Sequence, residues 1–322
     1  MAHSSKPWSL ASLFQRSPRS FQIVRLAYGR MANRMMAHLV AVELARRLGD
    51  AKLLGAPIEE WGLHLPPAKR RCAKYPLLEG QHFDLDVIAG AMRRHGAKGI
   101  RFKTAGASIR AFPPKEVARR LFDLGAQDHA RLGADELAIH IRLEDILRNA
   151  HPDYGPLGIG YYEALVEETG LSPVFIGQIG DDPYSEALRA RFKGARVLAG
   201  NSAVYDFATL GMAPNVALGI STFSWLAAWL GQNQSIHFPL SGLLHPLHAL
   251  QSNLLIEGDP RVKYYEFPHR KWTGEQAQVD EAINGFVGHR ISDDRFDQIA
   301  TEAASQAADA RAVWERDFLA QF

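Results

Sequence analysis

Hydrophobic and polar positions alternate most regularly in the second half of the chain. Residues 137–141, 174–176, 195–198, 216–220 and 235–238 are short runs of apolar side chains, and each reads as a buried strand. Between them, residues 161–169, 182–192, 203–211 and 222–230 carry the spacing of helices. Gly170 and Gly231 stop two of these helices, and Asp182-Pro183 opens another with a cap residue and a first-turn proline. Pro239 is expected to end the last strand. Continuously apolar strands alternating with helices predict a doubly wound parallel sheet.

The first half is less regular. Residues 21–26 read as a strand, Tyr28 to Asn33 as a turn, 34–48 as a helix ended by Gly49, and 51–54 as a second strand. From Pro57 to Pro114, proline pairs and scattered basic residues predict loops and short strands, and residues 114–124 then form a helix. Residues 273–322 read as mostly helical, with Ala303, Ala307, Ala310, Val313, Trp314 and Phe318 on one face. A terminal helix packing back across the other domain is expected. The reading is α/β, with a tail at 1–20, domains at 21–133 and 134–272, and a helical extension at 273–322.

Composition narrows the partners. The 322 residues are 47% hydrophobic and 22% charged, enough for a sizeable core. A net charge of +2 gives no reason to expect nucleic acid. Cys72 is the single cysteine, so no disulfide can form within the chain, which fits the cytoplasm. No apolar run approaches the ~20 residues of a membrane-spanning helix. Residues 1–20 carry Lys6, Arg16 and Arg19 and no acid. They read either as a disordered tail or as an interfacial helix, with Trp8, Leu10, Leu13 and Phe14 giving peripheral membrane contact.

The chemistry concentrates at strand ends. His140-Ile141-Arg142-Leu143-Glu144-Asp145 closes a buried strand with charged groups, on the side of an open α/β sheet where ligands bind. A guanidinium there suits phosphate or carboxylate, and the acids can move a proton. Ser221, Thr222 and Ser224 stand at the start of the helix after another strand. They form an anion site or, more simply, supply one capping hydroxyl. Asp206 sits early in the preceding helix. These groups can converge on one crevice that would suit an anionic nucleotide with a diphosphate.

Other candidates are weaker. His237, His245 and His248 resemble a metal set, but Pro239 and Pro246 break any helix that would align them. His269-Arg270-Lys271 reads as a solvated basic loop. Neither Gly-x-Gly-x-x-Gly after the first strand nor a Walker-type Gly-Lys-Ser/Thr occurs, which argues against a standard dinucleotide site and a P-loop. Asp181-Asp182 reads as a helix cap and Asp293-Asp294 lies in the tail, so no carboxylate pair is placed to hold a metal on a diphosphate.

Three blocks in order resemble the GDP-fucose-dependent fucosyltransferases, nearest the α-1,2 group (glycosyltransferase family 11). They are residues 138–145, residues 204–230, and the turn Gly29-Arg30-Met31-Ala32-Asn33 followed by a helix. The resemblance implies two Rossmann-like domains facing a cleft (GT-B type). It implies inverting, metal-free transfer of fucose from GDP-fucose to a glycan hydroxyl, galactose O2, in polysaccharide biosynthesis. Arg142 would clamp the β-phosphate and His140 would lie beside guanine or ribose. Asp206 would accept from guanine, and Ser221, Thr222, Phe223 and Ser224 would line the diphosphate and sugar. Gly29 and Asn33 would let the N-terminal domain approach the donor. Asp145, then Glu144, is the candidate base; Asp145 orienting Arg142 is the other reading. The chain departs from the pattern at Leu143, where the motif has a second Arg, and at Ile220, often Asn. A GDP-binding protein without transfer activity, or a transferase of another nucleotide sugar, stands beside this reading.

Overall fold

A computed structural model describes residues 20–80, 83–104, 108–143, 146–147, 152–250, 252–285 and 288–322. The chain forms two compact units, each built on a parallel sheet. The α/β architecture expected from the hydrophobic pattern is the one observed. The first unit holds the described residues up to Thr104, with Arg110–Pro113 and Asp309–Phe322; the second holds the rest, up to Ala308.

In the first unit, β1 (Phe21–Arg25), α1 (Met31–Leu48) and β2 (Ala51–Gly55) form the expected βαβ opening. Helix α1 starts three residues before the expected Arg34, directly after the turn at Gly29, whose φ is +70°. Gly49 ends it at φ +83°. Then follow β3 (Leu77–Glu79), α2 (Leu85–Arg94) and β4 (Gly99–Lys103), and the sheet order is β2-β1-β4-β3. The reading of residues 57–114 as loops and short strands is therefore corrected by a helix. Asp84 caps α2 by accepting from the N–H groups of Asp86 (2.7 Å) and Val87 (3.4 Å), and Leu85, Ile88, Ala89 and Met92 form its buried face. Strand β4 lies beside β1 because Gly99 has no side chain: a Cβ there would stand 2.4 Å from both Gln22 O and the Tyr75 ring.

The second unit opens with α3 (Lys115–Leu121), β5 (Glu136–Ile141), α4 (Ile159–Thr169), β6 (Ser172–Gly177) and α5 (Pro183–Arg191). It continues with β7 (Arg196–Ala199), α6 (Ala203–Met212), β8 (Asn215–Ala217), α7 (Thr222–Leu230) and β9 (Ser235–Leu240). Strand β10 (Val262–Glu266), α8 (Gln276–Asn284), β11 (His289–Arg290) and α9 (Asp293–Leu319) complete it, α9 being divided between the units. The order is β11-β10-β9-β8-β5-β6-β7, parallel except for β11. From β5 the chain winds outward through β6 and β7, then returns to β8 on the other side of β5. The gap between β5 and β8 is the topological switch point.

Three expectations change here. Pro239 does not stop β9 but lies inside it, opposite Tyr265. Strand β8 pairs with β9 only through His237, so beyond that residue β9 is bonded on one side and a missing N–H is tolerated. Strand β8 ends at Ala217 rather than Ile220, because at Gly219 the backbone crosses β5 so closely that a Cβ would stand 2.7 Å from His140 O. The segment 262–267, not assigned to a strand from sequence, supplies β10.

The carboxyl-terminal residues serve the first unit. Gln321 exchanges hydrogen bonds with Leu77 N (2.9 Å) and O (3.1 Å) on the edge strand β3, and Trp314 Nε1 donates to Glu79 O at 2.9 Å. Among the described residues no helix is long and apolar enough to cross a membrane. The expected tail or interfacial helix falls, but for Ser20, on residues outside those described.

Candidate functional site

His140 and Arg142 lie at the carboxyl end of β5, and Ser221 and Thr222 begin the helix that follows the neighbouring strand β8. His140 stands next to last in β5, 4% exposed, and its ring stacks on Phe223 with centroids 5.5 Å apart. Two glycines make room for it. A Cβ at Gly219 would come within 2.8 Å of Nδ1, and one at Gly177 (φ +113°) within 3.3 Å of Cδ2. Nδ1 is buried with no hydrogen-bond partner among the described residues. Burial, with the nearby charge of Arg142, pushes the pKa down to about 3, so the imidazole is neutral at physiological pH.

Arg142 follows β5 and is partly buried. Its Nη1 donates to Gln178 Oε1 at 3.3 Å, and the same oxygen accepts from Leu143 N at 3.2 Å. Leu143 is 1% exposed, so the position where the resembled motif has a second Arg is a core position here. Glu144 and Asp145, the candidate bases, lie outside the described residues.

Ser221 caps α7 by accepting from Phe223 N at 3.1 Å. Ser224 is fully buried, and its hydroxyl donates to Gly219 O at 3.2 Å, with Ser221 O at 3.4 Å. Its hydroxyl is thus consumed by the turn that starts the helix, a structural role in place of the expected ligand contact. Thr222, partly buried, occupies the first helical position beside the amino-terminal N–H groups.

Phe223 also packs edge-on against Phe207 at 5.2 Å, which brings α6 to the site. Asp206, the neighbour of Phe207, is 8% exposed, and its Oδ1 has no hydrogen-bond partner among the described residues. Burial raises its pKa to about 6, against the opposing hydrogen bond with Asn201. A buried carboxylate oxygen left open is satisfied by a ligand donor at low cost. Sequence reasoning missed Gln178, Phe207, Gly177 and Gly219. The Gly-Gln pair ending the apolar run of β6 was the available signal.

Ile220, 4% exposed, lines a small pocket with Asp153, Ser241, Arg270 and Trp272 among others. Arg270 lines that pocket and pairs with Glu281, which corrects the reading of 269–271 as merely solvated. The rings of His245, His248 and His269 stack in series at 3.7 and 4.1 Å. His237 is bonded elsewhere, to Tyr265 OH at 2.9 Å and Ser235 Oγ at 3.2 Å. Among the described residues no three of His, Cys, Asp and Glu are placed to hold a metal.

Gly29 and Asn33 belong to the first unit. Gly29 turns the chain so tightly that a Cβ would lie 2.6 Å from Asn33 Nδ2. Arg25, 2% exposed, braces that turn by donating to Arg34 O at 2.9 Å and to Ala56 O.

No protein-family model and no curated protein matches the chain. Among solved structures it is similar to an Escherichia coli heptosyltransferase, WaaC with ADP, at 13% identity and a TM-score of 0.37, covering 89% of this chain and 99% of that one. The same enzyme with ADP-2-deoxy-2-fluoro heptose matches at 13% identity and a TM-score of 0.37, covering 80% and 96%. Likeness at that distance does not bear on what this chain does.

Proposed function

We propose that the protein is an inverting, metal-independent glycosyltransferase of the two-Rossmann-domain (GT-B) type. Its donor is a nucleoside-diphosphate sugar, GDP-fucose by resemblance, and its acceptor a glycan hydroxyl, galactose O2 by the same resemblance. One observation supports the reading: His140, at the carboxyl end of β5 and two residues before Arg142, stacks on Phe223 in the first turn of α7, and Phe207, next to Asp206, packs against the same Phe223 ring.

Transfer from such a donor releases a nucleoside diphosphate, so negative charge grows on the β-phosphate. Arg142 and the N–H groups at the start of α7 stabilise that charge without a metal. Asp206, ionised at neutral pH, accepts from the guanine N–H groups. Phe223 and Thr222 flank the diphosphate, with Ser221 fixing the turn that presents them. Inversion requires a base for the acceptor hydroxyl; Asp145, then Glu144, keeps that assignment, and Gly29 and Asn33 keep the donor-approach role the resemblance implies.

Isothermal titration with GDP tests the site. Wild-type protein binds GDP, and Arg142→Ala weakens binding at least tenfold. No binding, or binding unaffected by that substitution, overturns the reading. A thermal-shift panel of GDP, UDP, CDP and dTDP then reads base preference. The buried apolar side chains at Leu143 and Ile220 favour a second reading, GDP binding without transfer. GDP binding with no donor turnover across an acceptor panel selects it.

A further inference from the structure

The residue after β6 holds three consecutive residues, the last of β5 and the two that follow it. Gln178 N donates to Ile141 O at 3.0 Å. Gln178 Oε1 accepts from Leu143 N at 3.2 Å and from Arg142 Nη1 at 3.3 Å. One side-chain oxygen therefore fixes both the backbone leaving β5 and the guanidinium carried on it. Gly177 permits the arrangement: its φ of +113° turns the chain, and a Cβ there would stand 2.5 Å from Ile141 O.

The acceptor is an amide, which matters for an anion site. Some other guanidinium groups of this chain are braced by carboxylates, as with Arg261 on Asp259 and Arg295 on Glu266. Glutamate at position 178 would accept the same two bonds in the same geometry. It would also place a negative charge against Arg142 and compete with any phosphate there. Glutamine orients the arginine and adds no charge.

We infer that Gln178 is the positioning residue of the phosphate site: it holds the Arg142 guanidinium at the carboxyl end of β5 through an amide oxygen that brings no charge of its own. The inference rests on the reading of Arg142 as the phosphate clamp. It makes the neutrality of position 178 a requirement for binding, separate from its ability to accept hydrogen bonds.

The test uses the full chain, with pyrophosphate and GDP as probes in isothermal titration and thermal unfolding alongside. Gln178→Glu keeps both hydrogen bonds, so it melts at or above the wild-type temperature yet binds both probes at least tenfold more weakly. Gln178→Leu loses the bonds and weakens binding through misorientation, without the added charge. In an Arg142→Ala background, Gln178→Glu produces no further loss. A purely structural role predicts the reverse, with Gln178→Glu binding as wild type and only Gln178→Leu failing. Arg142-dependent binding with wild-type affinity in Gln178→Glu overturns this inference and spares the site. Absence of GDP and pyrophosphate binding by the wild type overturns both.

Discussion

The imidazole of His140 lies against the ring of Phe223, 5.5 Å between centroids and 26° between planes, so strand β5 and helix α7 share one aromatic contact at the switch point. The imidazole is neutral and its Nδ1 is unbonded among the described residues. His140→Phe keeps the stack and removes the nitrogens. It should leave the melting temperature within a few degrees of wild type. If a nitrogen meets the donor, GDP affinity falls about fivefold, the worth of one buried hydrogen bond at ~1 kcal/mol. Affinity equal to wild type would remove His140 from the binding surface.

Gly219 is held between rigid neighbours. A methyl group there meets His140 O at 2.7 Å and Nδ1 at 2.8 Å, both fixed by β5. Gly219→Ala should destabilise the protein by about 1–3 kcal/mol through overpacking. Urea unfolding measures this, and the His140–Phe223 stack should be disturbed with it, weakening GDP binding. A variant as stable as wild type would show that the loop after β8 yields easily.

Asp206 gives a pH signature of known sign. Its folded pKa is raised to about 6 by burial, above an unfolded value near 3.9. Its stabilising effect is therefore complete below ~4 and lost as pH rises through about 6. Asp206→Asn should be more stable than wild type at pH 7.5, by on the order of 2 kcal/mol, with the advantage vanishing near pH 4. GDP binding should weaken in the same variant, since the amide presents a donor where guanine needs acceptors. Loss of both stability and GDP affinity at pH 7.5 would instead make Asp206 a structural acid.

The doubly wound half was legible because its strands are buried on both faces and read as apolar runs. Its helices carry local punctuation, Asp182 accepting from Ser185 N at 2.9 Å and Gly170 in the left-handed region. Helix α2 had the same punctuation at Asp84, but proline pairs on either side outweighed it. Strand β10 was missed because Lys263 and Glu266 interrupt its apolar residues. At the site, Arg142 and Ser221 were visible as residue types at strand and helix ends. The role of Gln178 was not, because it depends on β5 and β6 lying side by side, a tertiary fact with no local trace. Ser224 was misread for the converse reason: its hydroxyl bonds the turn just behind it.

The three stacked histidines lead to the last prediction. His245 is buried, His248 partly buried and His269 exposed, so the stack runs from core to surface and ties the loop after β9 to the loop after β10. At the core end His245 Nε2 lies 3.7 Å from Glu266 Oε1, and Arg295 pairs with that carboxylate. Burial lowers the pKa of His248 to about 3, helped by His245 and His269 and opposed by Glu266. Burial also lowers that of His245, against Glu266. A depressed folded pKa means stability present above the unfolded value near 6.5 and lost as pH falls below it, by up to about 1.4 kcal/mol per pH unit for each such group. His248→Phe preserves a flat ring between its neighbours and removes one titration. Its melting temperature should fall less steeply than that of wild type between pH 6.5 and 4.5. His38, His140 and His237, each held down at about 3, remain in both proteins and cancel in the comparison. Parallel pH profiles for the two proteins would mean that His248 takes up its proton without cost and that the stack does not resist acid.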